Sequence, residues 1–357
     1  MDKQKKSNKQ YGIKEIAKRA NVSIATVDRV IHNRTGVAQK TKEKIQKIIK
    51  EIDYQPNLLA SRLKSNKEFV LAVLIPKVSE NTNFWEAPYN GILKAKEEIE
   101  KYGVIFKTFL FELSNKDSFM ESAIALLDEN VDGILMAPSF VKEAEQVVKI
   151  YEKEKIPYLF IDSNIAANGS ITYIGPNLYH SGFVGAQLTK YVLHNEKDEI
   201  LVTNISKTDT NIDNLKQIEK GFSDYITTNK IHNRLQSIAI KDGDYNQFKT
   251  ELDSFLEINP NIKSIFVTNS RVFSIARYLK ETNRRNITLI GFDFIAENVK
   301  YLKEGVIDFL ICHKPEEQGY RGIMSLYHHL ILMQKVEKTQ FMPIDIVTKE
   351  NCDFYPN

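Results

Sequence analysis

Two cysteines in 357 residues, Cys312 and Cys352, are too few for a disulfide framework, and their spacing fits no zinc-ligand pattern. They set the expectation of a reducing, cytoplasmic location. No apolar run reaches the roughly 20 residues that a membrane span needs. The amino terminus, MDKQKKSNKQ, is polar and lysine-rich and has no apolar core of the signal-peptide kind. The 15 glycines nowhere assemble a phosphate-cradling loop, and GPNLYHSG (175–182) lacks the spacing for dinucleotide binding. Neither a nucleophile elbow nor an HExxH pair occurs. His328 and His329 are adjacent, so on a helix they point to different sides and make a poor metal pair. The expectation is therefore of no cofactor, no metal, no catalytic centre and no membrane partner.

Charge is present, and unevenly placed. Residues 1–68 carry 17 Lys and Arg against 7 Asp and Glu, a net of +10. The whole chain is only +3, so residues 69–357 carry −7. A cationic segment on an acidic body gains affinity for a polyphosphate by releasing counterions, whatever the base sequence. Residues 1–10 read as a disordered basic tail that adds non-specific attraction at most.

Residues 11–55 follow a three-helix pattern. Ile13, Ile16, Ala17 and Ala20 form one apolar stripe, Asn21 and Val22 make a turn, and Ser23 is a good N-cap for the next helix. There Val27, Val30 and Ile31 face inward, leaving Ile24, Ala25, Asp28 and Arg29 outside. A third helix, opened by Gln39 or Thr41, adds Ile45, Ile48, Ile49 and Ile52 to a small core. A short helix with one side buried and an arginine on the other is the geometry that a major groove accepts. YQPNLLASRLKSNK (54–67) follows, in which Pro56 can open a short helix over Asn57 to Leu63. So short a helix needs a partner to persist.

IKEIAKRANVSIATVDRVIHNRTGVAQKTKEKIQKIIKEIDYQPNLLASRLK resembles, almost without gaps, the headpiece of the LacI/GalR family of bacterial transcriptional regulators. The resemblance implies that Ser23, Ile24, Ala25, Thr26 and Arg29 belong to a recognition helix that reads double-stranded operator DNA. It also implies that 56–68 is a hinge helix and linker, with Asn57, Ala60 and Leu63 at the minor groove and Leu63 as the wedge that kinks the duplex. Asp28 departs from the family's common serine. An acid facing phosphate repels it, so Asp28 is expected either to pair with a nearby Lys or Arg or to accept from cytosine N4.

From Phe69 the pattern becomes alternating strands and helices. VLAVLIP (70–76), VIFKTFL (104–110), DGILMAP (132–138), IPYLFID (156–162), ILVTNIS (200–206), IKSIFVTN (262–269), ITLIGFD (287–293) and IDFLICH (307–313) read as buried parallel strands. Amphipathic stretches intervene, such as Tyr89–Lys101 with Ile92, Leu93, Ala95 and Ile99 turned inward. About 290 residues exceed one comfortable core, which predicts two lobes, and ligands in such folds sit beyond the carboxyl ends of the strands. Those ends carry Phe84-Trp85, Asp162-Ser163, Asn269-Ser270, Asp293 and His313. Aromatic faces stack on the apolar side of a sugar ring, while Asp and Asn exchange hydrogen bonds with vicinal hydroxyls. Each also has a plainer reading: core for the aromatics, a turn cap for Asp293, a satisfied structural histidine for His313.

The body is similar to the family's effector domain, the two-lobed type I periplasmic-binding-protein fold. The resemblance implies a lobe of about 69–174 plus 312–338 and another of about 175–311 plus 339–357. It further implies an effector site of Phe84, Trp85, Asp162, Asn269, Asp293 and His313. Ser163 and Ser270 replace more common partners. The arginine expected near the start of TNIDNLKQIEKGF (210–222) is missing, Lys216 being the nearest cation. A neutral, sugar-like effector is the expectation. A two-fold DNA reader needs two copies to engage two half-sites, and IDIVTKENC (344–352), which resembles the family's last strand, is followed by no leucine heptads; a homodimer is expected. A solute-binding protein would have no use for the basic headpiece, and an enzyme would require a nucleophile or metal cluster that the sequence does not display.

Overall fold

The computed structural model describes residues 12–31, 34–52, 68–78, 83–167, 169–206, 212–241 and 243–357. The expected basic tail and the hinge residues Asn57, Ala60 and Leu63 lie outside the described residues. The chain divides into two compact units, Met1–Lys67 and Glu68–Asn357.

In the first unit, α1 (Ile13–Ala20), α2 (Ile24–Ile31) and α3 (Gln39–Glu51) enclose Ile16, Ala17, Ala20, Val27, Val30, Ile45 and Ile48. Asn21 ends α1 in the left-handed region at φ 55°, a conformation that asparagine enters more readily than most side chains. The Thr26 N–H then donates to Ser23 Oγ at 3.1 Å, the N-cap bond that starts α2. The Lys44 ammonium of α3 donates to the Ala20 carbonyl at 2.9 Å, placing a cation at the negative end of α1.

The second unit contains two six-stranded sheets. One runs β11 (Thr339–Phe341), β5 (Tyr173–Gly175), β4 (Tyr158–Ile161), β3 (Gly133–Met136), β1 (Phe69–Pro76), β2 (Val104–Phe111), all parallel. The other runs β12 (Asp345–Val347), β10 (Phe309–Cys312), β9 (Thr288–Phe292), β8 (Ile262–Val267), β6 (Glu199–Ser206), β7 (Leu235–Lys241), parallel except for the β10–β12 pair. In β1 every residue but Val70 is buried, as a strand covered on both faces requires. Helices α4 (Glu86–Ile99), α5 (Lys116–Ala125), α6 (Val141–Lys153) and α12 (Pro315–Leu330) belong to the first lobe. The second lobe has α7 (Leu178–Val192), α8 (Ile212–Thr228), α9 (Tyr245–Ile258), α10 (Val272–Glu281) and α11 (Ala296–Lys303).

One helix pair in each lobe meets through reciprocal glycines. A Cβ on Gly91 of α4 would lie 1.8 Å from the Glu316 carbonyl oxygen, and one on Gly319 of α12 would lie 2.0 Å from that of Pro88. In the other lobe Gly182 of α7 faces the Ile218 carbonyl at 2.1 Å and Gly221 of α8 faces that of Tyr179 at 1.9 Å. No side chain fits at these four points, so backbone packs on backbone.

Two expectations change. The last passage between lobes falls later than expected: Thr339–Phe341 pairs with β5 in the first sheet, and only β12 joins the second, while Cys312 closes β10 of the second sheet and not the first. Leu93 faces outward, because the apolar face of α4 is taken by Pro88, Gly91, Ile92, Ala95 and Ile99.

Candidate functional site

The outer face of α2 presents Ser23, Ile24, Ala25 and Arg29, all exposed, with Thr26 half-covered by its bond to Ser23. Ile24 is 46 % exposed, an aliphatic side chain offered to a partner while Val27 and Val30 are fully committed to the core. Asp28 pairs with Arg34, Oδ2 to Nη1 3.4 Å, the first of the two expectations for this residue. A single helix thus separates a buried side from an exposed side.

In the second unit Asp162 and Asp293 lie close enough for their charges to interact, and Phe84 lines a cavity with Asp293. Asp162 follows β4 and Asp293 follows β9, and both adopt left-handed backbone, φ 65° and 72°. Non-glycine residues held this way cost free energy that surrounding structure must offset, and such strain concentrates where side chains are aimed for a purpose. Burial pushes the Asp162 carboxyl up to about 6, against a single opposing hydrogen bond from Ser163. Burial, and then the charge of Asp162, push Asp293 up to about 8. The two acids therefore sense one another, and no lysine or arginine among the described residues relieves either. Lys216 pairs with Asp213 at 4.0 Å on an exposed face of α8 and does not take the place of the missing arginine.

The backbone around each acid is tied down by buried amides that the residue pattern alone does not reveal. Gln318 of α12 accepts from the Asp162 N–H at 3.1 Å and donates to the His313 carbonyl at 2.9 Å. The Tyr173 hydroxyl lies 3.0 Å from the Asp162 carbonyl and 2.9 Å from that of Pro176. Asn298 of α11 donates to the carbonyls of Ser270, Phe292 and Asp293 and accepts from the Phe273 N–H. Gln318 and Asn298 have one readable signal: each is a polar residue at a core position of an otherwise apolar helix face.

Asn214 of α8, in the segment where an arginine is expected, reaches the neighbour of the first acid. Its Nδ2 donates to Ser163 Oγ at 2.8 Å, and Ser163 donates to Asp162 Oδ2 at 2.9 Å. This relay crosses from one lobe to the other at the acid itself.

Phe84 and Trp85 separate: they meet edge to face at 5.3 Å, Phe84 lining a cavity and Trp85 buried at 3 % exposure. Asn269 spends its amide on the Ile205 carbonyl (2.8 Å) and the Arg271 N–H (3.2 Å), joining the ends of β6 and β8. His313 is buried, stacked on Phe292 at 5.8 Å, with Nε2 2.8 Å from Ser181 Oγ. Ser181 gives its one proton to the Asn177 carbonyl, so His313 Nε2 is the donor to it. Burial lowers the His313 pKa to about 4 and keeps it neutral.

Comparison with known proteins decides the family. The model described as bacterial regulatory proteins, lacI family, matches residues 12–57, and that described as a periplasmic binding protein domain matches residues 72–332, well over half of the chain. The chain belongs to the LacI/GalR family. Within that family it is 29 % identical over 154 residues to the HTH-type transcriptional regulator RegA of Clostridium acetobutylicum, covering 42 % of this chain and 43 % of RegA. It is 25 % identical over 291 residues to the ribose operon repressor of Halalkalibacterium halodurans, 79 % of this chain and 80 % of that protein. The chain spans under half the length of the first curated relatives it matches. A crystal structure described as a LacI transcriptional regulator from Bacteroides fragilis superimposes with a TM-score of 0.75 at 28 % identity, covering 81 % of this chain and all of that one. No helix among the described residues is long and apolar enough to cross a membrane.

Proposed function

We propose that this LacI/GalR-family chain is a sequence-specific transcriptional regulator whose affinity for operator DNA is set by a small, neutral, polyhydroxylated effector bound between its lobes. One observation carries the reading: a helix with an exposed Ser23–Arg29 face and a cavity between the lobes, lined by Asp293 and Phe84 with Asp162 nearby, occur in the same chain. Ser23, Ile24, Ala25, Thr26 and Arg29 read the major groove, and Asn57, Ala60 and Leu63 engage the minor groove. Asp162 and Asp293 accept from sugar hydroxyls with Phe84 against the ring. Trp85, Asn269 and His313 hold the shape of the site from behind. The name of the ribose operon repressor supports a sugar as the effector class. Carboxylates with no neighbouring guanidinium favour a neutral ligand over a sugar phosphate.

The chain acts as a sensor without turnover, a reading supported by relatives named as transcriptional regulators. It works as a homodimer. Leu93 on α4, Leu110 on the edge strand β2 and Ile124 on α5 are exposed aliphatic residues of the first lobe and support self-association there. Selection of bound duplexes from a random DNA pool, followed by fluorescence anisotropy with and without each of a panel of sugars, tests the whole reading. We expect enrichment of a two-fold sequence and a sugar-dependent change in its Kd. No enriched sequence, or none whose Kd any sugar moves, overturns it.

A further inference from the structure

A separate cavity of about 840 Å³ lies within the first lobe, away from the paired acids. Strand β4 runs from Tyr158, which lines this cavity, to Ile161, which precedes Asp162, so about 13 Å of strand separates the two places. None of the residues assigned above to DNA or effector lines it. Its volume falls within the roughly 300–1,000 Å³ of small-molecule sites. Because its walls belong to one lobe, a change of angle between lobes leaves it in place.

The walls are fixed turns. After α6 the chain bends at Lys155, φ 57°, and the Ile156 N–H donates to the Tyr151 carbonyl at 2.8 Å. After α12 it bends at Met333, φ 53°, and the Gln334 N–H donates to the His328 carbonyl at 2.9 Å. Both are helix ends closed by a left-handed residue. Between them Ile156, Pro157, Ile171, Leu330 and Val336 give an apolar lining, and Met333, 72 % exposed, adds a deformable apolar side chain. The charge of the lining runs against that of the body around it. Residues 69–357 carry −7, yet Lys155 and Lys335 stand here against the single acid Glu152. Glu152 is engaged, accepting from the Tyr158 hydroxyl at 2.7 Å. Neither lysine ammonium has an ion-pair or hydrogen-bond partner among the described residues. A neutral sugar would leave both cations unpaired and set hydroxyls against aliphatic walls, whereas an apolar body with one anionic end satisfies both parts of the lining.

We propose that this cavity is a second ligand site, distinct from the effector cleft, for a small amphipathic organic acid. Its anionic group pairs with Lys155 and Lys335, and its aryl or acyl body lies against Ile171, Leu330 and Val336. The inference stands apart from the sugar-effector reading above.

Fluorescence titration of the full chain with anilinonaphthalene sulfonate, an aromatic organic anion, tests it, with phenylbutyrate and its uncharged counterpart phenylbutanol as competitors. One equivalent of dye should bind the native chain. Phenylbutyrate should displace it at a concentration about tenfold lower than phenylbutanol, the difference that a charge-assisted contact makes. The double variant Lys155→Gln, Lys335→Gln changes only exposed positions and should bind the dye about tenfold more weakly with its Tm unchanged. Val336→Trp, which fills the cavity from its wall, should abolish binding. A native chain that binds no dye at millimolar concentration overturns the proposal, as does displacement by both competitors at equal concentration. Binding retained by both variants places the dye elsewhere and overturns it as well.

Discussion

Replacing Asp293 by Asn should stabilise the ligand-free protein at pH 8 while leaving it nearly unchanged at pH 4. Asn tolerates the left-handed backbone of this position, φ 72°, and matches the carboxyl in shape, so the swap isolates charge. The native protein holds the Asp293 proton up to about pH 8, against an ordinary value of 3.8. Since the folded state binds this proton more tightly than the unfolded chain does, the associated stability is full below about pH 4 and is lost as pH rises toward 8. At about 1.4 kcal/mol per pH unit, four pH units set a ceiling of about 6 kcal/mol. Asp162 shares the cost, because its charge is the second cause of the shift and the two acids titrate as a pair. Partial access of water lowers it again, so about 2–3 kcal/mol is the gain expected at pH 8. Thermal unfolding at the two pH values reads this directly as a Tm several degrees higher for Asp293→Asn at pH 8 alone. A variant less stable than the native chain at pH 8, or equally stabilised at both, would show that Asp293 carries no buried-charge penalty.

Four other substitutions probe separate links. Arg29→Ala should weaken binding to the selected duplex by about 1–3 kcal/mol while affecting random DNA less, measured by anisotropy at fixed salt; equal losses on both would make Arg29 a phosphate contact only. Gly221→Ala forces a Cβ to within 1.9 Å of the Tyr179 carbonyl oxygen and should cost about 3 kcal/mol, seen as a fall in Tm; an unchanged Tm would mean that α7 and α8 can separate freely. Asn214→Ala removes the 2.8 Å bond to Ser163 and should raise the radius of gyration of the ligand-free chain in X-ray scattering, whereas an unaltered profile would show that the relay does not hold the lobes together. Gln318→Ala should bind the effector yet lose most of the effector's influence on DNA affinity; full retention of that influence would remove Gln318 from the coupling.

The fold is readable from the sequence to the extent that burial leaves a periodic trace. Strands β1 and β9 are covered on both faces and so appear as nearly continuous apolar runs, while β6 and β8 keep most of that signal around the polar residues Thr203, Asn204, Lys263 and Ser264. Strand β7, LQSIAIK, is an edge strand in which only Ile240 is fully buried, and neither a run nor a strict alternation marks it. Three-residue β5 and β11 are too short to carry any pattern, and β11 is the element that shifts the lobe boundary. At the site, the acids are legible because each ends an apolar strand. Asn214 is not, because its partner Ser163 is 51 residues away in sequence and nothing local to TNIDNLKQIEKGF indicates what it faces. The paired aromatics illustrate the same limit: two adjacent rings read alike, and only packing sends Trp85 into the core and Phe84 to the cavity.

A ligand can shift the two lobes only by as much as it binds one arrangement better than the other, so what matters is where the site is mechanically attached. Asp162 is attached at two passages between lobes at once. The Tyr173 hydroxyl stands within hydrogen-bond reach of both the Asp162 carbonyl and that of Pro176, where the chain first leaves the first lobe, and Gln318 links the Asp162 N–H to the carbonyl of His313, where the chain returns. Lys314, next in line, sits in left-handed backbone at φ 48°, a bend that opens α12 at Pro315. Ser163 occupies one lone pair of Asp162 Oδ2 and leaves others open to a ligand hydroxyl, and Ser163 is the residue through which Asn214 holds the opposite lobe. In the proposed site a ligand hydroxyl at Asp162 would add a bond across the cleft beside the one that Asn214 makes, at an acid whose backbone is tied to residues at both passages. By reciprocity, whatever lobe angle DNA prefers must alter effector affinity by the same factor.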